Sequence, residues 1–323
     1  MSVQRRQFIH AAAALAALPM GAQAQGAWPT KAIRIVVPFA AGGTTDIVTR
    51  LVATEAAKSL GQPILVDNKP GAGTVIGVDN VAKSAADGYS FVTVTGSFAV
   101  NQTLLKKLPY DGLKDFRAVG LMGLSEHVLV THPGSGFKSV ADLVAQAKAG
   151  KPLSYASFGN GSSAHMAGEM LKNQLNLDIV HVPYKGQAPA LNDLLGGQVS
   201  MMFANWPEVR GHVQSGKLVA VGMATAQRSV YAPNVPTLAE QGVKLESSSW
   251  NGLLAPAGVP DAIVQRMNAA INDAMKQASV VEALNKAGIA ARTGTPQQFG
   301  DFLTGEIARY AEVIRQGGIT AEN

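Results

Sequence analysis

Short runs of β-forming residues alternate with segments of helical period along almost the whole chain, and this alternation limits the fold more than any other feature. Ile33–Val37 reads as a strand, followed by a helix over residues 46–60 that Gly61 stops. The pairing recurs: strand 64–66 with helix 75–84, strand 154–157 with helix 163–175, strand 179–182 with helix 189–195, and strand 199–203 with helix 207–214. Further strands are expected over 90–95, 119–122, 128–131, 219–224 and 248–254. Ser139 with Asp142, and Thr237 with Glu240, have the spacing of capping boxes. Residues 261–276 predict an amphipathic helix with Ile263, Met267, Ile271 and Met275 on one face. Thr295 caps a last helix that turns Phe299, Phe302, Leu303 and Ile307 inward. Alternating βα units predict an α/β protein with parallel sheets between helices. In such sheets ligands bind outside the carboxyl ends of the strands.

The turns at those ends are rich in small and polar residues. Pro38-Phe39-Ala40-Ala41-Gly42-Gly43-Thr44-Thr45-Asp46 joins the first strand to its helix. Small residues let a ligand approach the backbone, and the unpaired N–H groups of a helix start favour an anion. The stretch lacks the Lys of a P-loop and the spacing of a dinucleotide fingerprint. It also reads as a tight turn with Thr45 or Asp46 as N-cap. A second glycine-rich turn, residues 68–77, reads best as a wide loop closing onto the helix that follows. In the third, Ser157-Phe158-Gly159-Asn160-Gly161-Ser162-Ser163-Ala164-His165, Ser162 or Ser163 can cap the next helix and help hold a carboxylate. His165 either faces a ligand or is a structural histidine. The fourth, residues 182–190, offers the Tyr184 hydroxyl and Lys185, the latter also readable as a solvated loop charge. The fifth is Phe203-Ala204-Asn205-Trp206-Pro207. Together they describe a cleft lined by helix N-termini, which suits a small carboxylate better than a cation.

The first 24 residues have the parts of an export signal: Arg5 and Arg6, an apolar run over 11–18, and Ala22-Gln23-Ala24 as a small-x-small cleavage site before Gln25. The apolar run is too short to span a bilayer. Gln4-Arg5-Arg6-Gln7-Phe8-Ile9 also fits a twin-arginine signal, and an ordinary secretory signal with two arginines reads as well. The periplasm is the expected location. The chain has no Cys, which excludes disulfides, a thiol nucleophile and thiolate metal sites. Its 323 residues are enough for two domains. Removing Arg5 and Arg6 lowers the formal charge of +5 by two, and no basic stripe interleaved with aromatics marks a nucleic-acid binder.

Catalytic patterns are lacking. Gly161-Ser162-Ser163-Ala164-His165 is not the G-x-S-x-G elbow, and no H-E-x-x-H occurs. The carboxylates are scattered, and His127, His132, His181 and His212 are isolated. No cofactor, metal or catalytic residue is expected. The ten Met residues, Met201 and Met202 included, read as core filler.

Longer stretches carry a resemblance. They include "IRIVVPFAAGGTTDIVTRLVA" from Ile33, "VDNKPGAGTVIGVDNVAKSAADGYSF" from Val66, "SYASFGNGSSAHMAGEMLK" from Ser154, "VPYKGQAPALNDLLGGQV" from Val182, "VPTLAEQG" from Val235 and "WNGLLAPAGVP" from Trp250. Over about residues 28–318 the chain resembles the solute-binding proteins of tripartite tricarboxylate transporters, the Bug-type periplasmic receptors. The resemblance implies a type II periplasmic-binding fold, with two α/β domains around a ligand cleft. Their expected extents are 25–125 plus 251–323 and 126–250, joined by strand crossovers near Glu126 and Trp250. It also implies a monomer that performs no chemistry and delivers a small organic acid to a membrane permease of the same transporter class. Dicarboxylates, tricarboxylates, acidic amino acids and aromatic acids are ligands in the family.

Carried onto this chain, the implied ligand residues are Phe39, Ala41, Gly42, Gly43, Thr44 and Asp46 in the first loop, Ser157, Gly161, Ser162 and His165 in the third, and Tyr184 and Gly186 in the fourth. Ser97, Ala204 and Asn205 complete the set. Many relatives carry an acidic residue where Ala204 stands, and many have one at Ser200. The missing carboxylate at Ala204 tilts the expectation away from amino acids and toward a dicarboxylate, tricarboxylate or aromatic acid. Phe98 and Trp206 either accommodate a ring in the cleft or pack in the core. Other readings are a receptor that presents its ligand to a sensor protein, an exported hydrolase using Ser162 and His165, and the ligand domain of a transcription regulator. The last two are disfavoured by the lack of a catalytic set and of a DNA-binding head.

Overall fold

The computed structural model describes residues 28–321, so the export signal expected over 1–24 lies outside them. Strands β1 (Ile33–Val37), β2 (Ile64–Asn68) and β3 (Ser90–Val94) pair in parallel in the order β2-β1-β3. Ile33, Ile35, Val36 and Val37 of β1 are all buried, as a parallel strand covered on both faces requires. Helix α1 (Thr44–Leu60) lays Val48, Val52, Ala56 and Leu60 onto this sheet. Burying each of the large side chains contributes roughly 1.5–3 kcal/mol. Gly61, in the left-handed conformation, ends the helix. Helix α2 is Val75–Ala82 and helix α3 is Gly96–Leu104.

The sequence reading missed α3. Its local preference is weak, and packing decides the outcome. Phe98 stacks on Tyr110 with ring centroids 6.0 Å apart and meets Phe116 edge-on at 5.7 Å.

One long strand, β4 (Phe116–Thr131), replaces the two short strands expected over 119–122 and 128–131. Its register slips near Gly120 and Gly123, which bends it. Up to Glu126 it pairs with β9 (Ser248–Pro256), and from His127 with β7 (Met201–Asn205). Here the second half of the sheet begins. It contains β5 (Ser154–Ser157) and β6 (Val180–Pro183), parallel to one another, with β8 (Val219–Met223) antiparallel to β4. Helices α4 (Val140–Lys148), α5 (Ser163–Leu175), α6 (Gln187–Leu195) and α7 (Trp206–Gln214) cover it. Helix α8 (Asp261–Lys276), α9 (Ala278–Lys286), the short β10 (Ala290–Ala291) and α10 (Pro296–Gly317) return to the first half.

The sheet is parallel at its flanks but antiparallel where β3, β9, β4 and β7 adjoin. A chain that leaves one half on β4 and comes back on β9 must run the two strands in opposite directions. Thr237 and Glu240 form reciprocal capping bonds of 3.0 and 2.8 Å, yet they support only the single turn Ala239–Gln241. Trp250 is fully buried, and its Nε1 donates to Glu306 on α10 at 2.9 Å. Phe98 and Trp206 are both buried in hydrophobic clusters. Of the two readings for these rings, core packing holds. Among the described residues no helix is long and apolar enough to cross a membrane.

Candidate functional site

A cavity of about 580 Å³ lies between the two sheet halves. The starts of α1, α3, α5, α6 and α7 all open onto it, through Thr44 and Thr45, Gly96 and Ser97, Ser162 and Ser163, Gly186 to Pro189, and Asn205 with Glu208. Each helix follows a strand of its half, so the chain topology sends all five N-termini to one edge. In α1 the first intrahelical bond runs from Ile47 N–H to Gly43 C=O at 3.0 Å. The N–H groups of Thr44, Thr45 and Asp46 therefore have no partner within the helix. Five positive helix ends on one cavity make a field suited to an anion.

Eight of the expected ligand residues line the cavity: Phe39, Gly42, Gly43, Thr44, Ser97, Ser162, Gly186 and Asn205. Gly43 caps α1, displacing the expected Thr45 or Asp46 into the first turn. Gly42 and Gly186 have φ of +84° and +115°, conformations that favour glycine and let the backbone face the cavity. Ser162 is the N-cap of α5, and its Oγ accepts from His165 N–H at 3.2 Å.

The remaining seven lie outside the cavity lining. Ala41 is exposed on the loop, outside the cavity lining. Asp46 turns its carboxylate inward, where it accepts from Gly42 N–H (2.9 Å), Arg50 Nε (3.0 Å) and Asn68 Nδ2 (2.9 Å). Burial pushes its pKa up, but the bonds from Arg50, Gly42 and Asn68 outweigh this and bring it down to about 2. It shapes the first loop from behind. Asn68, from the second glycine-rich turn, also donates to Phe39 C=O at 3.1 Å, and this turn adds no lining residue.

Ser157 is wholly buried, with its hydroxyl at 2.7 Å from His181 Nε2 and accepting from Gly159 N–H. Gly161 donates its N–H to His165 Nδ1 at 3.1 Å. His165 is buried and stacks on His181 with ring centroids 3.9 Å apart. Burial lowers the two histidines to pKa values of about 3 and about 4. These contacts hold both rings in the interior, behind the cavity lining. Tyr184 spends its hydroxyl on Asp193 at 2.6 Å. Ala204 points into a hydrophobic cluster, because adjacent residues of a strand face opposite sides.

Ser163, the other cap candidate of the third loop, lines the cavity too, and Thr45, Thr95, Gly96, Gln187, Glu208, Ser249, Trp250 and Asn251 line it without having been expected there. Thr95 to Ser97 carried a readable sign, a small-residue turn directly after a strand. Ser249 and Asn251 did not, because β9 presents them only once it has paired with β4. His127, buried between Ser247 Oγ (2.9 Å) and Ser249 Oγ (3.1 Å), fixes this strand, and Ser249 Oγ lies 3.3 Å from Ser163 Oγ.

Buried polar atoms are nearly always paired. Here Gln187 Nε2, Asn205 Oδ1 and Asn251 Oδ1 are buried without a hydrogen-bond partner, and all three residues line this cavity. Lys185 is the basic and Glu208 the acidic side chain of the lining. Glu208 Oε1 accepts from Asn205 Nδ2 at 3.1 Å and from Thr44 Oγ1 at 3.5 Å, the latter across the cleft. Crowding by both walls raises its pKa, and these bonds partly offset the rise. A larger cavity, about 730 Å³, is lined by Leu124, Met170, Glu306 and Arg309 among others. There Arg309 and Glu306 already pair at 2.7 Å, and among the described residues no α-helix starts there, so it is the weaker candidate. Among the described residues no group of three or more His, Cys, Asp or Glu side chains is arranged for a metal ion.

A cleft between two α/β halves, with helix N-termini on its walls, is the site of a periplasmic-binding-protein fold. Residues 48–319 match the family model described as tripartite tricarboxylate transporter family receptor. The chain belongs to this family of solute-binding receptors. It is 40% identical to Protein BugT of Bordetella pertussis over 296 residues, covering 90% of each chain. Among solved structures, R. palustris Rpa4515 with adipate superposes with a TM-score of 0.81 at 34% identity, covering 91% of this chain and 99% of that one. MatC (Rpa3494) from Rhodopseudomonas palustris with bound malate gives 0.79 at 32% identity, covering 89% and 100%.

Proposed function

We propose that this chain is exported to the periplasm, captures a small organic carboxylate in the cleft and delivers it to a permease of the tripartite tricarboxylate class. The observation that carries the reading is the convergence of five helix N-termini on one cavity. The relatives solved with adipate and malate support a carboxylate as the ligand. The crossings at Glu126/His127 on β4 and near Ser248 on β9 serve as the hinge between 25–125 plus 251–323 and 126–250. The ligand is trapped when the halves close, and the closed shape is what the permease recognises. Closure is driven only by a ligand that binds the closed form more tightly.

Native mass spectrometry of the protein purified gently from its own periplasm tests this reading. A retained small acid is the expected result. If the protein is empty, thermal shift against dicarboxylates, tricarboxylates, amino acids and aromatic acids follows. Stabilisation by non-acidic solutes alone overturns the reading. Deleting the gene for this chain should lower uptake of the labelled ligand; unchanged uptake with a lost transcriptional response would instead assign the receptor to a sensor.

A further inference from the structure

We infer that Glu208 selects the ligand's second group, favouring a carboxylate that also carries an ammonium and disfavouring one with a second carboxylate. The inference rests on the receptor reading above and specifies its ligand. The absence of an acid at position 204 turned the sequence reading away from amino acids, but Ala204 lies in the core and never meets the cleft. Four residues further on, in the first turn of α7, Glu208 lines the cavity. It is the acidic side chain of that lining, is exposed to the cleft, and has for partners Asn205 Nδ2 and Thr44 Oγ1, not a cation.

Besides the two donors that Glu208 already holds, the lining carries unpartnered acceptors. Asn205 Oδ1 and Asn251 Oδ1 are buried acceptors without partners on the same cavity. An ammonium brings three donors and no acceptor, which suits a carboxylate beside unpartnered amide oxygens. A carboxylate in that place meets a like charge and offers nothing to those oxygens. The helix N-termini, Gln187 Nε2 and Lys185 supply donors and positive charge for the ligand's own carboxylate. The lining thus holds partners of both signs, as a zwitterion requires.

Calorimetric titration of the mature chain with matched pairs tests the inference. In 4-aminobutyrate against glutarate, and 5-aminopentanoate against adipate, a terminal ammonium replaces a terminal carboxylate on a similar chain; aspartate against succinate adds an α-ammonium. The ammonium-bearing member is expected to bind at least tenfold more tightly. Glu208→Gln should abolish that preference, and Glu208→Lys should reverse it toward the diacids. A gain of diacid binding in the lysine variant cannot come from misfolding. Tighter binding of the diacids by the unaltered protein overturns the inference, as does a preference that survives both substitutions. If the diacids bind and the ammonium acids do not, the receptor reading stands and this inference fails. If no carboxylate of either kind binds, the receptor reading itself fails.

Discussion

Replacing Asp46 by Asn separates a residue that shapes the binding loop from one that touches the ligand. The carboxylate is 4% exposed and accepts from Gly42 N–H, Arg50 Nε and Asn68 Nδ2. An amide of the same shape has one acceptor oxygen and must turn its NH₂ toward groups that are themselves donors. The fall of the Asp46 pKa from 3.8 to about 2 sets a scale through linkage of about 2 kcal/mol in favour of the folded charged form. Asp46→Asn should therefore lower stability at pH 7 by about 2 kcal/mol, or roughly 3 °C in Tm. The sign fixes the pH window. The folded-state pKa lies below the unfolded one, so the contribution is complete above about pH 4 and disappears as the pH falls toward about 2. Urea denaturation of both proteins at pH 7, 4 and 2.5 should show the difference shrinking on acidification. Equal stability at pH 7, or a difference that persists unchanged at pH 2.5, refutes the electrostatic argument. Ligand affinity lost while stability stays intact would show that Asp46 is a ligand contact after all.

Three further substitutions probe the site. Ser162→Ala removes the cap of α5 and should cost about 1 kcal/mol of stability; calorimetry should also show weaker ligand binding, since Ser162 lines the cavity. Tyr184→Phe breaks the bond to Asp193 and should cost about 1 kcal/mol, while affinity stays unchanged; a large affinity loss would return Tyr184 to the ligand set. Gly186→Ala meets no atom within 4 Å but forces alanine to φ of +115°, which should cost about 1–3 kcal/mol in denaturant unfolding.

Much of the fold was legible in local patterns. Ile33–Val37, Ser154–Ser157, Ser163–Leu175 and Asp261–Lys276 occupy the same residues in the structure as in the sequence reading. Strand runs and amphipathic faces are set by neighbours within a few residues. The loops of the site were legible as well, because glycine and serine at strand-to-helix turns answer to local backbone geometry. Helix α3 was missed because Phe98 and its neighbours fold as a helix only against Tyr110 and Phe116.

The direction of each side chain was not legible. Ser157, Gly161, His165 and Tyr184 sit in the correct loops but spend their polar groups on His181, on one another and on Asp193. Ser249 and Asn251 reach the cavity from a strand more than seventy residues from α5 in the chain. The sequence by itself determined an α/β chain with anion-favouring turns, since strands, helices and turns are local. Only the tertiary structure decided which polar groups of those turns remain free for a ligand. A side chain's partner is chosen by whatever the fold brings within 3 Å of it, and those groups come from distant parts of the chain.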